Sequence, residues 1–128
     1  MGYYILAAEA SFSAAHRLPE VDKCDRLHGH NWRVRLSVRI DEANLDGLGM
    51  GIDFRRIEEV AQAAVADFDH AYLNDLEPFK DKHPTAERLA RVVYDRAAAR
   101  LASIAPTAQL VEVEAWEMSD YRVTYRPA

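Results

Sequence analysis

His28-Gly29-His30 sets two imidazoles two residues apart with only a hydrogen on the residue between them. Side chains alternate along an extended chain, so both rings face the same side of a strand and form a metal-ligand pair. His16 falls in matching phase on the preceding apolar stretch, sharing a face with Phe12 and Ala14. Three neutral imidazoles around a zinc ion leave a fourth position for water or substrate, the open geometry of a catalytic rather than a structural site. The competing reading is that one or more of these histidines fills a polar gap at a strand end.

Other residues carry chemistry in two ways each. Cys24 is the only cysteine, so it has no partner for a disulfide within its own chain. It is either a small buried hydrophobe or, beside Lys23, Arg26 and the histidine pair, a thiolate. Asp69-His70 is a plain helix end, where a histidine suits the dipole, or a carboxylate orienting an acid-base imidazole. Glu117 ends the row Val111, Val113 and Ala115, either solvated or buried against donors such as two N–H groups of a heterocycle edge. Thr85 and Glu87 are first a helix cap and a first-turn acid. His83, before Pro84, needs no role.

These residues are positioned by a simple series of elements. Residues 3 to 16 form a first strand, and Pro19 ends the segment. In the second strand His28, His30, Trp32, Val34, Leu36, Val38 and Ile40 alternate with Gly29, Asn31, Arg33, Arg35, Ser37 and Arg39, so the apolar face is the one that holds both histidines. A glycine-bearing turn region leads to Asp53 as N-cap of a helix with Ile57, Val60, Ala61, Ala64, Val65 and Phe68 at helical spacing. That helix frays near Phe68, and Tyr72, Leu73 and Asn74 follow in a loop. A second helix starts at Pro84-Thr85, carries Leu89, Val92, Val93, Ala97 and Leu101, and closes at Pro106. Two strands, 110 to 118 and 121 to 126, finish the chain.

The order ββααββ gives an α+β domain: a four-stranded, mainly antiparallel sheet with two helices on one face. The other face is charged, with Arg33, Arg35, Arg39, Glu112, Glu114 and Arg122. Open edges expose unpaired backbone groups, and closing several subunits edge to edge into a barrel removes them, so a ring-forming homo-oligomer is expected.

The 128 residues make one domain, 1–128, with enough apolar content to bury a core. A net charge of -5 argues against nucleic acid as the main partner. No apolar run reaches the length of a membrane span or a signal peptide, so no membrane partner and a cytoplasmic location are expected.

Taken together, Ser11-Phe12-Ser13-Ala14-Ala15-His16-Arg17-Leu18, Cys24 three residues ahead of His28-Gly29-His30-Asn31, Ile52-Asp53-Phe54, Asp69-His70-Ala71-Tyr72-Leu73-Asn74-Asp75, Pro84-Thr85-Ala86-Glu87 and Trp116-Glu117 follow in an order that resembles the 6-pyruvoyltetrahydropterin synthase family. The resemblance spans nearly the whole chain. It implies the tunnelling fold, in which two-helix, four-stranded subunits form trimeric barrels that stack into hexamers. The short gap between Cys24 and His28 is similar to the 6-carboxytetrahydropterin synthase branch of queuosine (7-deazaguanine) biosynthesis.

That branch implies a zinc-dependent lyase that cleaves a carbon-carbon bond and releases an aldehyde. The implied substrate is 7,8-dihydroneopterin triphosphate, and the products are 6-carboxy-5,6,7,8-tetrahydropterin, acetaldehyde and triphosphate. Zn2+ on His16, His28 and His30 would bind side-chain hydroxyls of the substrate. Cys24 would move a proton, tuned by His70, which Asp69 holds. Glu117 would grip the amino-pyrimidine edge, with Thr85 and Glu87 as pocket residues. Arg17, Lys23, Arg26 and Lys82 are all candidates for the triphosphate. Ala86 stands where some relatives carry a hydroxyl. The alternatives are a 6-pyruvoyltetrahydropterin synthase, which eliminates triphosphate without cutting the carbon chain, and a non-catalytic zinc- or pterin-binding protein.

Overall fold

The alternation from His28 to Ile40 becomes the middle of the sheet. The computed structural model describes residues 1–19 and 26–128, so Cys24 and Lys23 lie outside the described residues. Strand β2 (His28–Asp41) pairs antiparallel with β1 (Tyr3–His16) from Tyr3↔Asp41 to His16↔His28. On its other side β2 pairs with β4 (Gln109–Met118), which pairs with β5 (Tyr121–Tyr125). The inward residues Trp32, Val34, Leu36, Val38 and Ile40 are all buried.

Two helices cover that face. In α1 (Phe54–Val65) the Asp53 carboxylate caps the first turn by accepting from the Arg55 backbone N at 2.8 Å. In α2 (Ala86–Ile104) the Thr85 hydroxyl accepts from the Arg88 N at 3.2 Å. Helix α1 lies on β1 and β2, and α2 on β4 and β5. Ile57, Val60, Ala61, Leu89, Val93 and Leu101 close over Phe12, Trp32 and Val113 in one core. Each large side chain buried there contributes about 1.5–3 kcal/mol relative to exposure.

The α+β arrangement is as expected, with three local differences. First, the sheet has five strands among the described residues: β3 (Ala71–Tyr72) pairs parallel with β1 at Ala14 and Ala15, where the sequence predicts a loop. Two residues are too few for a periodic signal. Second, regular α1 ends at Val65, and Phe68 is buried beyond it in a turn. Third, the row Val111, Val113, Ala115, Glu117 is interrupted by bulges. The register shift opposite Ser37 and Val38 puts Leu110 into the core in place of Val111. A second shift leaves Glu117 as the extra residue between the pairs Trp116↔Arg122 and Met118↔Tyr121.

The outer sheet face carries cross-strand ion pairs. Arg35 lies 2.8 Å from Glu9 and 3.5 Å from Glu114, and Arg122 lies 3.1 Å from Glu114. Trp116 is also on this face and is buried among the arginines. Among the described residues, no helix is long and apolar enough to cross a membrane.

Candidate metal centre

The register decides the first question. His16 sits directly opposite His28, and Ala14 opposite His30, so the period of two along each strand and the pairing between them bring the imidazoles together. The ring centroids are 4.5 Å (His16 to His28), 5.1 Å (His16 to His30) and 4.8 Å (His28 to His30) apart, with interplanar angles from 64° to 84°. Rings packed edge to face in this way aim their nitrogens at a common point instead of stacking.

Backbone carbonyls fix which nitrogen is aimed. His16 Nδ1 donates to the Pro84 carbonyl at 2.9 Å, and His28 Nδ1 donates to the Arg26 carbonyl at 2.7 Å. With the proton held at Nδ1, each ring presents the Nε2 lone pair to the cluster, the tautomer a metal requires. His16 Nε2 and His30 Nε2 are buried, and neither makes a hydrogen bond. Glu117 Oε1 lies 2.8 Å from His30 Nε2 and 3.3 Å from His16 Nε2. These are close approaches without hydrogen-bond geometry.

The ligand atoms of His16, His28, His30 and Glu117 all lie within 4.8 Å of one another. Buried, unpartnered Nε2 atoms beside a carboxylate fit a divalent cation of the borderline class that favours imidazole. Burial, above all, pushes the His30 pKa below 6.5, and the His16 and His28 rings add to this while Glu117 opposes it. Neutral imidazole is the form that binds metal. Contact with His16, first, holds the Glu117 carboxyl below 4.5 against the opposing effect of burial, so it is ionised at neutral pH.

Two clefts meet at His30. One, of about 510 Å³, is lined by Ser13, Leu27, Asn31, His70 and Tyr72 as well as His30. The other, of about 570 Å³, holds Arg33, Trp116, Glu117 and Ser119 beside the same histidine. The pair Asp69-His70 thus stands at the same cleft as His30. Asp69 Oδ1 accepts from the Ser13 backbone N at 3.0 Å, and the His70 N donates to the Ser13 carbonyl at 2.6 Å. Asp69 Oδ2 lies 3.1 Å from His70 Nδ1. The carboxylate thus holds the ring at Nδ1. His70 reaches this position with φ at 57°, a left-handed conformation costly for a non-glycine residue.

Residues 5–128 match the family model described as 6-pyruvoyl tetrahydropterin synthase. The chain belongs to this family. Among relatives of this synthase family, it is 32% identical over 128 residues to the 6-carboxy-5,6,7,8-tetrahydropterin synthase of Bacillus subtilis, covering 95% of this chain and 84% of that one. It is 38% identical over 95 residues to the protein of that name from Synechocystis, covering 71% and 72%. The structure of Caenorhabditis elegans 6-pyruvoyl tetrahydropterin synthase matches with a TM-score of 0.82 at 25% identity, over 100% of this chain and 98% of that one. The fold is the α+β tunnelling fold that the sequence implies.

Within this synthase fold, the expected site residues separate by place. His16, His28, His30 and Glu117 form one cluster, and His70 shares a cleft with His30. Glu87 borders a smaller cleft of about 230 Å³ with Glu117. The Thr85 hydroxyl caps α2, next to the Pro84 carbonyl that holds His16. Three contributors went unread in the sequence. The carbonyls of Pro84 and Arg26 act through the backbone, which leaves no side-chain signal. Asn74 grips the Arg17 backbone from both sides at 2.9 Å, extending the order of β1 past His16.

Proposed function

We propose that the protein is a zinc-dependent 6-carboxy-5,6,7,8-tetrahydropterin synthase. It would convert 7,8-dihydroneopterin triphosphate and water to 6-carboxy-5,6,7,8-tetrahydropterin, acetaldehyde and triphosphate. The observation that carries this reading is the convergence of three imidazoles, two of them locked by backbone carbonyls in the metal-binding tautomer, beside a cleft that holds an Asp69-oriented His70. The similarity to the 6-carboxy-5,6,7,8-tetrahydropterin synthases of Bacillus subtilis and Synechocystis supports the product, as does the short spacing from Cys24 to His28.

His16, His28 and His30 would hold the zinc. Bound there, the ion supplies Lewis-acid polarisation of the substrate's side-chain oxygens. Ionised Glu117 offers two acceptor oxygens, the species needed to receive two N–H groups from the amino-pyrimidine edge. His70, with its Nδ1 proton directed at Asp69, takes or returns a proton through Nε2 in the cleft it shares with His30. Cys24 is assigned the proton transfer on the substrate side chain. Thr85 and Glu87 are assigned to the pocket wall near Glu117 and α2.

The outer edge of β1 before Ala14 and the outer edge of β5 have no strand partner among the described residues. Pairing between copies at these edges would close the barrel of a homo-oligomer, a trimer or a hexamer.

The test is incubation of the zinc-loaded protein with 7,8-dihydroneopterin triphosphate and identification of the products by mass spectrometry. Acetaldehyde together with 6-carboxytetrahydropterin is the expected result. A tetrahydropterin that keeps its three-carbon side chain would assign the pyruvoyl-forming reaction instead, and unchanged substrate would reject catalysis.

A further inference from the structure

Arg33, Arg35, Arg39 and Arg122 share the outer face of the sheet, and three of them are firmly engaged. Arg35 donates to Glu9 at 2.8 Å, Arg39 donates to Asp41 at 2.9 Å, and Arg122 lies 3.1 Å from Glu114. Arg33 differs. Its ion pair among the described residues is a 3.7 Å approach to Glu9 Oε1, too long for a hydrogen bond, and the other oxygen of that carboxylate is taken by Arg35. What holds Arg33 is Trp116, its register partner on β4, whose ring centroid lies 4.0 Å from the guanidinium carbon.

A guanidinium held over the face of an indole by cation–π attraction still has N–H donors for a planar, bidentate acceptor. Arg33 and Trp116 also line the 570 Å³ cleft that contains His30 and Glu117. Among the described residues, Arg33 is the one lysine or arginine on that lining, and the His70 cleft has none. Arg17, Arg26 and Lys82, the described cations that the sequence offers for a triphosphate, line neither cleft. Glu117 does not neutralise Arg33. Successive side chains on β4 point to opposite faces, and the carboxylate approaches the histidines while Trp116 turns to the arginines. A protein with a net charge of -5 that accepts a polyanion needs local positive charge at the cleft, and among the described residues Arg33 supplies it.

We propose that Arg33, held on Trp116, is an oxyanion-binding residue of the substrate cleft, pairing its guanidinium edge with a phosphate or carboxylate of the pterin ligand. The identity of that ligand rests on the synthase reading above. The two sources of the oxyanion are the triphosphate of the substrate and the carboxylate of the product.

The test is calorimetric titration of the zinc-loaded protein with inorganic tripolyphosphate and, separately, with pterin-6-carboxylate. The proteins compared are the wild type, Arg33→Gln, Arg33→Lys and Arg39→Gln, each checked for an unchanged thermal melt. Arg33→Gln should weaken one of the two probes by at least roughly tenfold, the loss expected for a charge-assisted bidentate pair. Arg33→Lys should fall between, because it keeps the charge without the fork, and Arg39→Gln should bind as wild type. Loss confined to tripolyphosphate assigns the substrate's phosphates, and loss confined to the carboxylate assigns the product. Wild-type binding of both probes by Arg33→Gln overturns the role of Arg33 and leaves the synthase reading standing. A wild-type protein that binds neither probe overturns both.

Discussion

His16 Nδ1 donates to the carbonyl of Pro84, 68 residues further along the chain, across 2.9 Å. This bond ties the start of α2 to the end of β1 and sets the tautomer of a fully buried ring. Replacing His16 by alanine removes a candidate metal ligand, opens a cavity and strands a carbonyl. An unsatisfied buried polar group alone costs about 1–3 kcal/mol, so His16→Ala should be destabilised by at least that amount in urea unfolding of the metal-free protein. His28→Ala, at a half-exposed position, should lose metal with a smaller effect on folding. Equal destabilisation by the two would deny the Pro84 bond its structural role.

Protonation of His30 gives a pH dependence with a definite sign. Burial pushes its folded pKa below 6.5. Between the folded value and 6.5 the unfolded chain binds more protons, so stability rises with pH across that window. The contribution is fully present above 6.5 and is lost as pH falls through the folded pKa. Urea unfolding of the metal-free protein should therefore show a midpoint that declines on acidification below neutrality, and His30→Gln should flatten that decline. Zinc retention should follow the same direction, because protons compete for the ligand nitrogens.

His70 combines backbone strain with the proposed role in proton transfer. Its φ of 57° is a conformation that glycine adopts without penalty and alanine does not. His70→Gly should keep or raise the melting temperature while turnover falls, whereas His70→Ala should lose turnover with no gain in stability. Asp69→Asn should lower kcat by about 10²-fold or more, because the amide places a donor where His70 Nδ1 needs an acceptor. The Asp69 carboxyl is held below 3.8, chiefly by the Ser13 N–H, so it is ionised at neutral pH. Retained kcat in Asp69→Asn would remove His70 from proton transfer.

How much of this was legible in the sequence follows from where each signal lives. The three histidines were readable because strand side chains repeat every two residues, so His16, His28 and His30 declare their face before any pairing is known. The N-caps Asp53 and Thr85 were readable from residue type and the apolar spacing that follows them. Glu117 was readable as the end of a row, but the bulge that leaves it between Trp116 and Met118 was not, since a one-residue register slip is set by pairing with β5. The same holds for the exchange of Val111 for Leu110. Phe79 and Leu73, buried in short 3-10 turns, carry no periodicity that separates them from loop residues. Asp69-His70 was ambiguous because its second partner, the Ser13 backbone, is 56 residues away.

Thr85 separates capping from binding. Its hydroxyl accepts from Arg88 N, and removing such a cap costs about 0.5–2 kcal/mol. Thr85→Ser keeps the oxygen and should match wild type in both stability and KM. Thr85→Ala should lose stability by that amount, and a rise in KM measured well below its melting temperature would show that the hydroxyl also meets the ligand. An unchanged KM would confine Thr85 to the helix.

Glu117 offers the sharpest division between two roles, since its carboxylate reaches the histidines and also borders the cleft of Trp116. Glu117→Gln preserves shape and removes the charge. If the carboxylate receives two N–H groups of the pterin, each charge-assisted bond contributes about 1.5–3 kcal/mol, so kcat/KM should fall by roughly 10² or more. Zinc content, measured by mass spectrometry after dialysis, should stay at that of wild type because three imidazoles remain. A variant that sheds zinc on dialysis would instead make Glu117 a fourth ligand. The metal site would then be closed by protein, as structural zinc sites are, and the open position required for substrate would not exist.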